Sequence, residues 1–481
     1  MDQGTIATLV QLSYVLAAAL FIVGLHRMSS PATARNGNIV SAFGMALAVL
    51  ATAVGLALGV DVLGGVTPGG VGWGIIAIGT IIGGGVGFYL ARTVQMTAMP
   101  QMVSLFNAAG GGAAALVAID EFIKFSHGAD ELPLHVMIAT LLGVAFGALT
   151  FTGSLVAFGK LQGLVPGRPV TFPASQFVNL GLFLVLILGA GYLIVTGDLN
   201  VPVLLLLTAV ALALGVTTTM PIGGADMPVV ISLLNAFTGT AAAMAGFVIN
   251  NPALIISGAL VGAAGTILTQ LMARAMNRSL GNILFGAFGT GDTAAGAEGA
   301  YAGGGSAREI GEDDAAILLA YARSVIVVPG YGLAVAQAQR AVADLAAELE
   351  KRGVEVLYAI HPVAGRMPGH MNVLLAEANV PYPQLIEMDE INPEFPRTDV
   401  ALVVGANDVT NPAARSNPAS PIFGMPILDV DAAQNIIVIK RSMRPGFAGI
   451  DNELYVNPKT GMLFGDAKEA LGRLVNAVKA V

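Results

Sequence analysis

The chain has 481 residues, of which 55% are hydrophobic and only 11% are charged, and its mean hydropathy is +0.75. Soluble domains carry about 25% charged residues, so this composition predicts that most of the chain lies in a lipid bilayer. The sequence has no cysteine and five scattered histidines, which excludes disulfides and leaves no spacing typical of zinc, so we expect no bound metal. The net charge of -8 gives no reason to expect nucleic-acid binding.

The first part of the chain, residues 1–277, is a succession of apolar segments. Each is close to the ~20 residues that a helix needs to cross a bilayer. Residues 1–25 lack a basic region before their apolar core, so we interpret them as a retained span and not as a signal peptide. We place about nine transmembrane helices at 4–26, 37–59, 71–91, 101–119, 134–158, 176–196, 201–218, 228–249 and 253–273. The sequence thus predicts a multi-span α-helical membrane domain.

Basic residues are concentrated in alternate loops between these segments. One set of loops carries Arg27, Arg35, Arg92, Lys160, Arg168, Arg274 and Arg278. The other set carries Asp61, Asp198 and a predicted loop at 120–131 whose single lysine is Lys124. Because basic loops stay in the cytoplasm, we expect an inner-membrane protein with its N-terminus outside and its C-terminal domain in the cytoplasm.

Four polar residues lie inside the apolar segments or at the mouth of one: Asn107, Ser154, Asn235 and Asp226. Each such group in a membrane needs a partner or a water molecule, so all four are candidates for a proton path. A satisfied hydrogen bond between helices is the alternative for an isolated Asn or Ser. Asp226 is also placed to cap the helix that follows it. The glycines of the spans indicate tight helix packing. No predicted span holds a His, Glu or Lys away from its ends, so none supplies a complete proton wire.

The second part of the chain has a different composition. Residues 278–305 are rich in Gly, Ala, Ser and Thr and predict a linker without a core of its own. Residues 306–481 alternate strand-forming and helix-forming segments, with strands expected at 324–329, 354–360, 384–388, 400–404, 426–429 and 435–440, and helices at 333–351, 369–378 and 466–479. This pattern predicts an α/β doubly wound, Rossmann-like domain that binds a dinucleotide at the carboxyl ends of its strands.

The strongest nucleotide signal is the turn after the first predicted strand. Gly330 and Gly332 are spaced G-x-G there, and a helix-forming segment follows. Glycines let the backbone approach a pyrophosphate, and a helix N-terminus adds free N–H groups. The third glycine of the usual motif is replaced by Val335. The pattern alone therefore does not distinguish a nucleotide site from a tight turn in an ordinary α/β domain.

Two further features indicate which nucleotide the domain binds. NAD-specific domains place an acid at the end of the second strand to bind the ribose 2′-hydroxyl, whereas this chain has His361 there. Lys440, Arg441 and Ser442 cluster at the end of another strand and offer donors and positive charge for a 2′-phosphate. A solvated basic tip is the alternative for such a cluster. We expect NADP(H).

Six motifs follow one another along the chain: GGADMPVV at 223–230, PGYGLAVAQAQ at 329–339, HPVAGRMPGH at 361–370, MDEIN at 388–392, GAND at 405–408 and KRSM at 440–443. Taken together, they resemble the beta subunits of the Re/Si-specific, proton-translocating NAD(P) transhydrogenases over nearly the whole chain. The resemblance implies a membrane domain joined to an NADP(H)-binding domain. It also implies hydride transfer from NADH, held by a separate alpha subunit, to NADP⁺, coupled to inward proton translocation.

The resemblance also implies roles for single residues. The implied cofactor-binding residues are Gly330, Tyr331, Gly332, Val335, Val363, Ala364, Gly365, Arg366, Met367, Pro368, Gly405, Ala406, Asn407, Asp408, Val409, Gly424, Met425, Lys440, Arg441, Ser442, Met443, Arg444, Pro445, Gly446, Phe447, Asp466 and Ala467. Asp389 and Asp408 are the candidate catalytic residues, and Asp389 resembles the proton-sensitive acid of the family. Phe447 replaces a tyrosine of many members, and Asn107 replaces a membrane histidine of some.

The loss of that histidine leads to an expectation about partners. Neither Asn107 nor Asn235 can bind and release a proton near neutral pH. We therefore expect a separate small membrane subunit whose helix contributes an ionisable residue near Asn107. The complete complex with the alpha subunit is expected to dimerise.

Two other functions stay open from the sequence alone. A transporter or channel could carry a cytoplasmic domain that only senses NADP(H), although the spans lack the paired broken helices typical of secondary transporters. A self-sufficient membrane-anchored dehydrogenase would need a second dinucleotide site, and no second strand–G-x-G–helix pattern occurs. Hydride transfer needs no protein acid or base, so the absence of a catalytic triad does not separate these functions.

Overall fold

The computed structural model describes residues 3–60, 68–95, 98–128, 132–167, 169–172, 174–223, 226–276, 307–365, 369–418, 420, 422–446 and 449–481. The chain forms two compact units, a helical one that reaches Gln270 and an α/β one that ends at Val481. The limits 1–277, 278–305 and 306–481 stay a prediction, and the linker lies outside the described residues. The structure of each unit follows from the kind of segment it contains.

The helical unit confirms the predicted multi-span domain. Nine helices in the described residues are long and apolar enough to cross a membrane. They are α1 (Gln3–Arg27), α2 (Pro31–Ala57), α3 (Gly70–Thr93), α4 (Met99–His127), α5 (Leu134–Gln162), α6 (Ser175–Thr196), α7 (Val201–Thr219), α8 (Met227–Val248) and α9 (Pro252–Ala275). The chain is therefore a multi-pass membrane protein.

The prediction for α4 is wrong at its end. Residues 120–127, expected in a loop, form the last two turns of the helix. Lys124 Nζ lies 2.7 Å from an Asp120 oxygen and 3.2 Å from a Glu121 oxygen, and such pairs at i,i+4 and i,i+3 stabilise a helix beyond its apolar part. Glu121 is thereby placed inside a span, where none was expected.

Lys160 is also misplaced by the prediction. It lies in the last turn of α5, is 5% exposed, and donates from Nζ to Met220 O (2.5 Å) and Ile222 O (2.7 Å). These carbonyls follow the C-terminus of α7, where the helix dipole favours a cation. Lys160 is thus a buried cap of α7 and not a loop residue.

Glycines determine how closely several of these helices pack. A Cβ atom added to Gly239 on α8 would lie 2.6 Å from the backbone nitrogen of Gly262 on α9, so only glycine permits that approach. A Cβ atom on Gly147 of α5 would lie 2.7 Å from the carbonyl oxygen of Gly111 on α4. The predicted packing role does not extend to α3, which buries no described residue. A Cβ atom added to any of its glycines at 83–85 would meet no other part of the described chain within 4 Å.

The second unit is built on one parallel sheet. Its strands are β1 (Ser324–Pro329), β2 (Glu355–Ile360), β3 (Leu385–Glu387), β4 (Val400–Val404), β5 (Asn435–Lys440) and β6 (Thr460–Phe464), and its helices are α10 (Glu312–Ala320), α11 (Tyr331–Val335), α12 (Gln339–Glu350), α13 (His370–Glu377), α14 (Met388–Ile391), α15 (Ala413–Ser416) and α16 (Ala467–Ala480). The six strands are parallel and follow the order β3-β2-β1-β4-β5-β6. This order is that of a doubly wound dinucleotide-binding fold, which confirms the predicted fold class.

Two strand assignments differ from the prediction. Residues 426–429 form no strand, because loop groups satisfy their backbone: Leu428 N donates to Val409 O at 2.9 Å and Asn392 Nδ2 donates to Ile427 O at 3.0 Å. The sixth strand is instead β6, which the prediction lacks and which pairs with β5. Gly461 in β6 interrupts its apolar pattern, since glycine packs no side chain in a strand.

The predicted helix at 333–351 is divided into two. α11 ends at Val335, Gln337 has a left-handed backbone with φ of 50°, and α12 begins at Gln339. A single residue in this conformation stops a right-handed helix. The G-x-G turn is therefore followed by one short helix and a bend.

The buried hydroxyl of Tyr358 in β2 yields a stability prediction. Tyr358 is 0% exposed, its hydroxyl has no hydrogen-bond partner among the described residues, and burial raises its pKa. An unpaired buried hydroxyl costs about 1–3 kcal/mol, so Tyr358→Phe should raise the free energy of unfolding of the C-terminal unit by roughly 1 kcal/mol. Urea unfolding followed by circular dichroism measures this. Tyr382→Phe, at a residue that is 41% exposed, is the control with no expected change, and a less stable Tyr358→Phe variant would contradict the argument.

Candidate functional site

The candidate site begins with two glycine turns at the carboxyl ends of β1 and β4. These neighbouring strands are the point at which the chain winds in opposite directions across the sheet, the usual place for a ligand. Gly330 N donates to Val404 O and Gly332 N donates to Gly405 O, both at 2.9 Å. A Cβ atom on Gly332 would lie 2.7 Å from Gly405 Cα, so side chains are excluded where the turns touch.

The segment after β5 lies against the turn after β4. A Cβ atom on Gly446 would lie 2.7 Å from Asn407 Nδ2 and 2.8 Å from Asp408 Oδ1. Lys440, the last residue of β5, donates to the carbonyl oxygen of Arg444. Residues 440–446 therefore form a compact basic segment beside Asn407 and Asp408. Phe447, predicted for the same segment, lies outside the described residues.

The ammonium group of Lys440 is partly withdrawn from water. It lies 4.9 Å from the centre of the Tyr455 ring, and burial lowers its pKa, while the carboxylates of Asp408 and Asp451 act in the opposite direction. A positive charge in a region of low dielectric attracts an anion more strongly than the same charge in water. Arg441 and Arg444 of the same segment are exposed. This part of the site suits a phosphate group.

His361 anchors the loop after β2. It is 1% exposed, its Nε2–H donates to Pro426 O at 2.9 Å, and its Nδ1 accepts from Val363 N–H at 3.2 Å. These two bonds require the neutral ring with the proton on Nε2. Burial lowers the pKa of His361 to about 4, although the bond to Pro426 and the charge of Asp389 raise it. Ala364 and Gly365 continue this loop, and Arg366, Met367 and Pro368 lie outside the described residues.

An apolar surface connects this loop with the other strand ends. Val363 and Val409 pack against buried Met425 in one cluster, which also contains Ala414, Ile422, Ile427 and Ile450. Gly424 N donates to Ala414 O at 2.8 Å and fixes the turn that carries Met425. The structure thus brings together residues from three loops that are far apart in sequence.

Other predicted residues have identifiable local roles. Asp466 is the N-cap of α16 and accepts from Lys468 N at 3.0 Å, and Ala467 after it is buried. Asp389 is exposed in α14. Val335 is 48% exposed at the end of α11.

Two residues that no sequence motif indicates support the turn after β4. Asn452 Nδ2 donates to Asn407 O at 3.0 Å, and Tyr455 Oη donates to Ala406 O at 3.1 Å. Both residues are 1% exposed. They lie in an irregular segment between β5 and β6, more than forty residues from their acceptors. Local spacing carries no signal for such a contact.

In the helical unit, three of the four predicted polar residues form a cluster. Asn107 Nδ2 donates to Ser154 Oγ at 2.9 Å, and Asn235 Nδ2 donates to Asn107 Oδ1 at 3.2 Å. Asp226 is the N-cap residue of α8, but its side chain accepts no bond from the first turn. It is separated from Asn235 by about 13 Å of helix. The cluster is compatible both with interhelical packing and with a polar path.

Comparison with known proteins decides the family. The family model described as NAD(P) transhydrogenase beta subunit matches residues 10–477. This chain belongs to that family. The NAD(P) transhydrogenase subunit beta of Rhodospirillum rubrum is 48% identical over 475 residues, which cover 98% of this chain and 99% of the relative. A second Rhodospirillum rubrum sequence of the same name, from a designated strain, matches equally well. The resemblance inferred from the motifs is confirmed, and the chain is a transhydrogenase beta subunit.

The buried His361 predicts a pH-dependent stability for the C-terminal unit. Its pKa falls from 6.5 to about 4 on folding, so the unfolded chain binds a proton at this residue more readily than the folded unit does. The free energy of unfolding is therefore unaffected by this residue above pH 6.5 and decreases as pH falls toward 4. At about 1.4 kcal/mol per pH unit, the loss is on the order of 3 kcal/mol. His361→Gln should remove this part of the pH dependence, as measured by urea unfolding between pH 7 and 4. If wild type and variant lose the same free energy of unfolding over that range, the argument is wrong.

Proposed function

We propose that this chain is the membrane subunit of a proton-translocating transhydrogenase whose C-terminal unit binds NADP(H). Hydride passes between this nucleotide and NAD(H) on an alpha subunit, and the transfer is coupled to inward proton movement. The observation that carries the proposal is the backbone contact of Gly332 with Gly405 beside the basic segment 440–446. The family of the chain supports the reaction, and the name subunit beta of its relatives supports an alpha partner.

The residues at the carboxyl edge of the sheet fit a phosphorylated dinucleotide. Gly330 and Gly332 carry no side chain, which lets a pyrophosphate approach the backbone of this turn closely. Lys440, the half-buried Ser442 and the exposed Arg441 supply donors and positive charge for a 2′-phosphate. Hydride chemistry comes from the bound nucleotide, so the task of the protein is to hold and orient it. The residue after β2 is His361 and not the acidic residue typical of NAD-specific domains, which favours NADP(H) over NAD(H).

The apolar cluster is the proposed wall for the nicotinamide ring. Val363, Val409 and Met425 present aliphatic and thioether groups, which pack against a flat ring and exclude water. Excluding water protects a hydride during transfer. The remaining proposed contacts come from Tyr331, Val335, Ala364, Gly365, Arg366, Met367, Pro368, Gly405, Ala406, Asn407, Gly424, Met443, Arg444, Pro445, Gly446, Phe447, Asp466 and Ala467.

Two acids are proposed to make nucleotide binding sensitive to protons. Asp408 lies beside Gly446, and its charge raises the pKa of Lys440. Asp389 acts in the same way on buried His361. Protonation of either carboxyl would change the charge balance at the phosphate end or at the loop after β2. This gives proton movement a means of altering the affinity for NADP(H).

The membrane cluster of Asn107, Ser154 and Asn235 is the proposed central part of the proton path. Hydrogen-bonded amides and hydroxyls can orient water at membrane depth. Because none of the three titrates near neutral pH, we propose that a small membrane subunit contributes an ionisable group near Asn107. Asp226 is proposed as the group at the mouth of α8. The complex is proposed to act as a dimer.

The nucleotide preference of the C-terminal unit tests the proposed cofactor. The isolated C-terminal unit should bind NADP(H) much more tightly than NAD(H), as measured by titration calorimetry. Lys440→Ala combined with Arg441→Ala should remove most of that preference, since each lost charge-assisted hydrogen bond costs about 1.5–3 kcal/mol. Lys351→Ala is the control, because Lys351 follows α12 at the opposite edge of the sheet. Equal affinity of the unmutated unit for both nucleotides would refute the proposed cofactor.

The proposed orientation is an inner-membrane chain with its N-terminus outside and its C-terminal unit in the cytoplasm. The chain has no native cysteine, so single cysteines report accessibility directly. Leu164→Cys lies at a 73% exposed residue after α5, and Asp198→Cys lies in the exposed connection between α6 and α7. A membrane-impermeant thiol reagent should label the first only from the cytoplasmic side and the second only from outside. Labelling of both from one side would contradict the proposed topology.

A further inference from the structure

Glu121 is an acid buried inside a membrane helix. The residue is 6% exposed and lies in the last two turns of α4. An ionisable side chain at such a place is costly unless it is paired or has a function. Its ionic partner is Lys124, which also pairs with Asp120, whose side chain is 65% exposed. Because Asp120 alone balances that lysine, the ion pair does not explain a second, buried acid.

Glu121 shares a face of α4 with Asn107. The two residues are separated by about four helical turns, or roughly 21 Å. Their directions around the helix axis differ by only about 40°. Between them the face holds Gly111, Ala114 and Ala118, all of them buried. These small residues leave room for a neighbouring helix and for polar groups on it.

The helix that packs against this face is α5, which runs antiparallel to α4. Their contacts, in order along α4, are Asn107 with Ser154, Gly111 with Thr150, and Ala118 with Gly143. From one contact to the next, the residue number rises on α4 by as much as it falls on α5. Continuing the register by one turn places Thr140 opposite Glu121.

Thr140 provides an independent observation at the same place. It is 0% exposed, and its hydroxyl has no hydrogen-bond partner among the described residues. Such a group costs about 1–3 kcal/mol when it stays unpaired. A carboxyl group across the interface can satisfy it through one bridging water molecule. Thr238 on α8 carries another buried hydroxyl without a partner in the described residues, and its methyl group is 3.4 Å from a Cβ atom placed on Gly110 of α4.

We propose that Glu121, with Thr140 opposite it, is the group that binds protons at the outer end of the α4–α5 interface. The inference rests on the proposed proton translocation and gives this chain a titrating group of its own. The carboxylate of Glu121 accepts a proton from outside water and becomes a neutral acid. It then donates that proton to water held by Thr140 and Thr238, toward the cluster at Asn107, and the carboxylate is restored.

Few other charged groups face this end of the interface. The described ones are Asp120, Lys124 and His127 on α4, His135 on α5, and Asp198 before α7. All of them are exposed, and the facing ends of α7 and α8 carry no charged residue in the described part. Asp130 and Glu131 lie outside the described residues. Glu121 is therefore the buried carboxyl whose titration the proposal concerns.

The test uses the complex of this chain with its alpha subunit and the proposed small membrane subunit, in inverted membrane vesicles. The measurement is the reduction of NADP⁺ by NADH, driven by an acidified lumen, as a function of lumen pH. Glu121→Gln should lower the proton-driven rate by roughly 10²-fold, the low end for a positioned proton-transfer group, and should abolish its dependence on lumen pH. Glu121→Asp keeps a carboxyl group and should retain most of both.

The neighbouring acid supplies the matched control. Asp120→Asn removes a carboxylate from the same turn, at an exposed position, and should behave as the wild type. A wild-type rate and pH profile in Glu121→Gln would overturn the inference. A slower rate with an unchanged pH profile would overturn it as well, since that result indicates a structural role only.

Two further outcomes have a defined meaning. Wild-type vesicles without any proton-driven reaction would refute the proposed function itself and not the choice of Glu121. If Glu121→Gln does not accumulate in the membrane, Thr140→Val decides, because it keeps the volume of the side chain and removes the hydroxyl. A slower proton-driven rate with a shifted pH profile supports the inference, and an unchanged Thr140→Val variant overturns it.

Discussion

The contact between two glycine turns is the constraint on which the candidate site of the C-terminal unit depends. A Cβ atom on Gly332 would lie 2.7 Å from the Cα of Gly405, so any larger residue would push the ends of β1 and β4 apart. At this contact there is room for backbone and for no side chain, which is what a close approach of phosphate requires. The segment 440–446, the loop after β2 and the turn that carries Met425 are then arranged around it.

In the membrane unit the constraint is that each buried polar side chain must find a partner inside the protein, because lipid offers none. Its buried polar side chains accordingly lie on the helices that pack most closely. Asn107, Ser154 and Asn235 satisfy one another across α4, α5 and α8. Lys160 satisfies the carbonyl groups beyond α7. The hydroxyl of Thr140 has no hydrogen-bond partner among the described residues, and a water molecule beside Glu121 is the partner proposed for it.

Much of the fold follows from local sequence, because span length and strand–turn–helix order are local properties. The end of α4 escaped prediction because a cluster of charges resembles a loop, whereas Lys124 pairs with Asp120 and Glu121 along a helix. Residues 426–429 resemble a strand, but loop groups such as Asn392 take their hydrogen bonds.

The glycines and the basic segment of the candidate site can be recognised in the sequence, because their spacing is fixed. The residues that support the turn after β4 cannot be recognised in this way. Asn452 and Tyr455 act through contacts between distant segments, which no local pattern encodes. The register that places Thr140 opposite Glu121 is likewise a property of packed helices, since it depends on contacts such as Ala118 with Gly143.

The central claim is that nucleotide reduction in this chain is coupled to proton movement across the membrane. The most direct measurement applies a pH gradient to inverted vesicles that contain this chain, its alpha subunit and the proposed small membrane subunit. It follows the formation of NADPH from NADH and NADP⁺. The account predicts that an acidic lumen accelerates the reaction and that an uncoupler removes the acceleration. A rate that is indifferent to the gradient, in vesicles whose C-terminal unit still binds NADP(H), would contradict it.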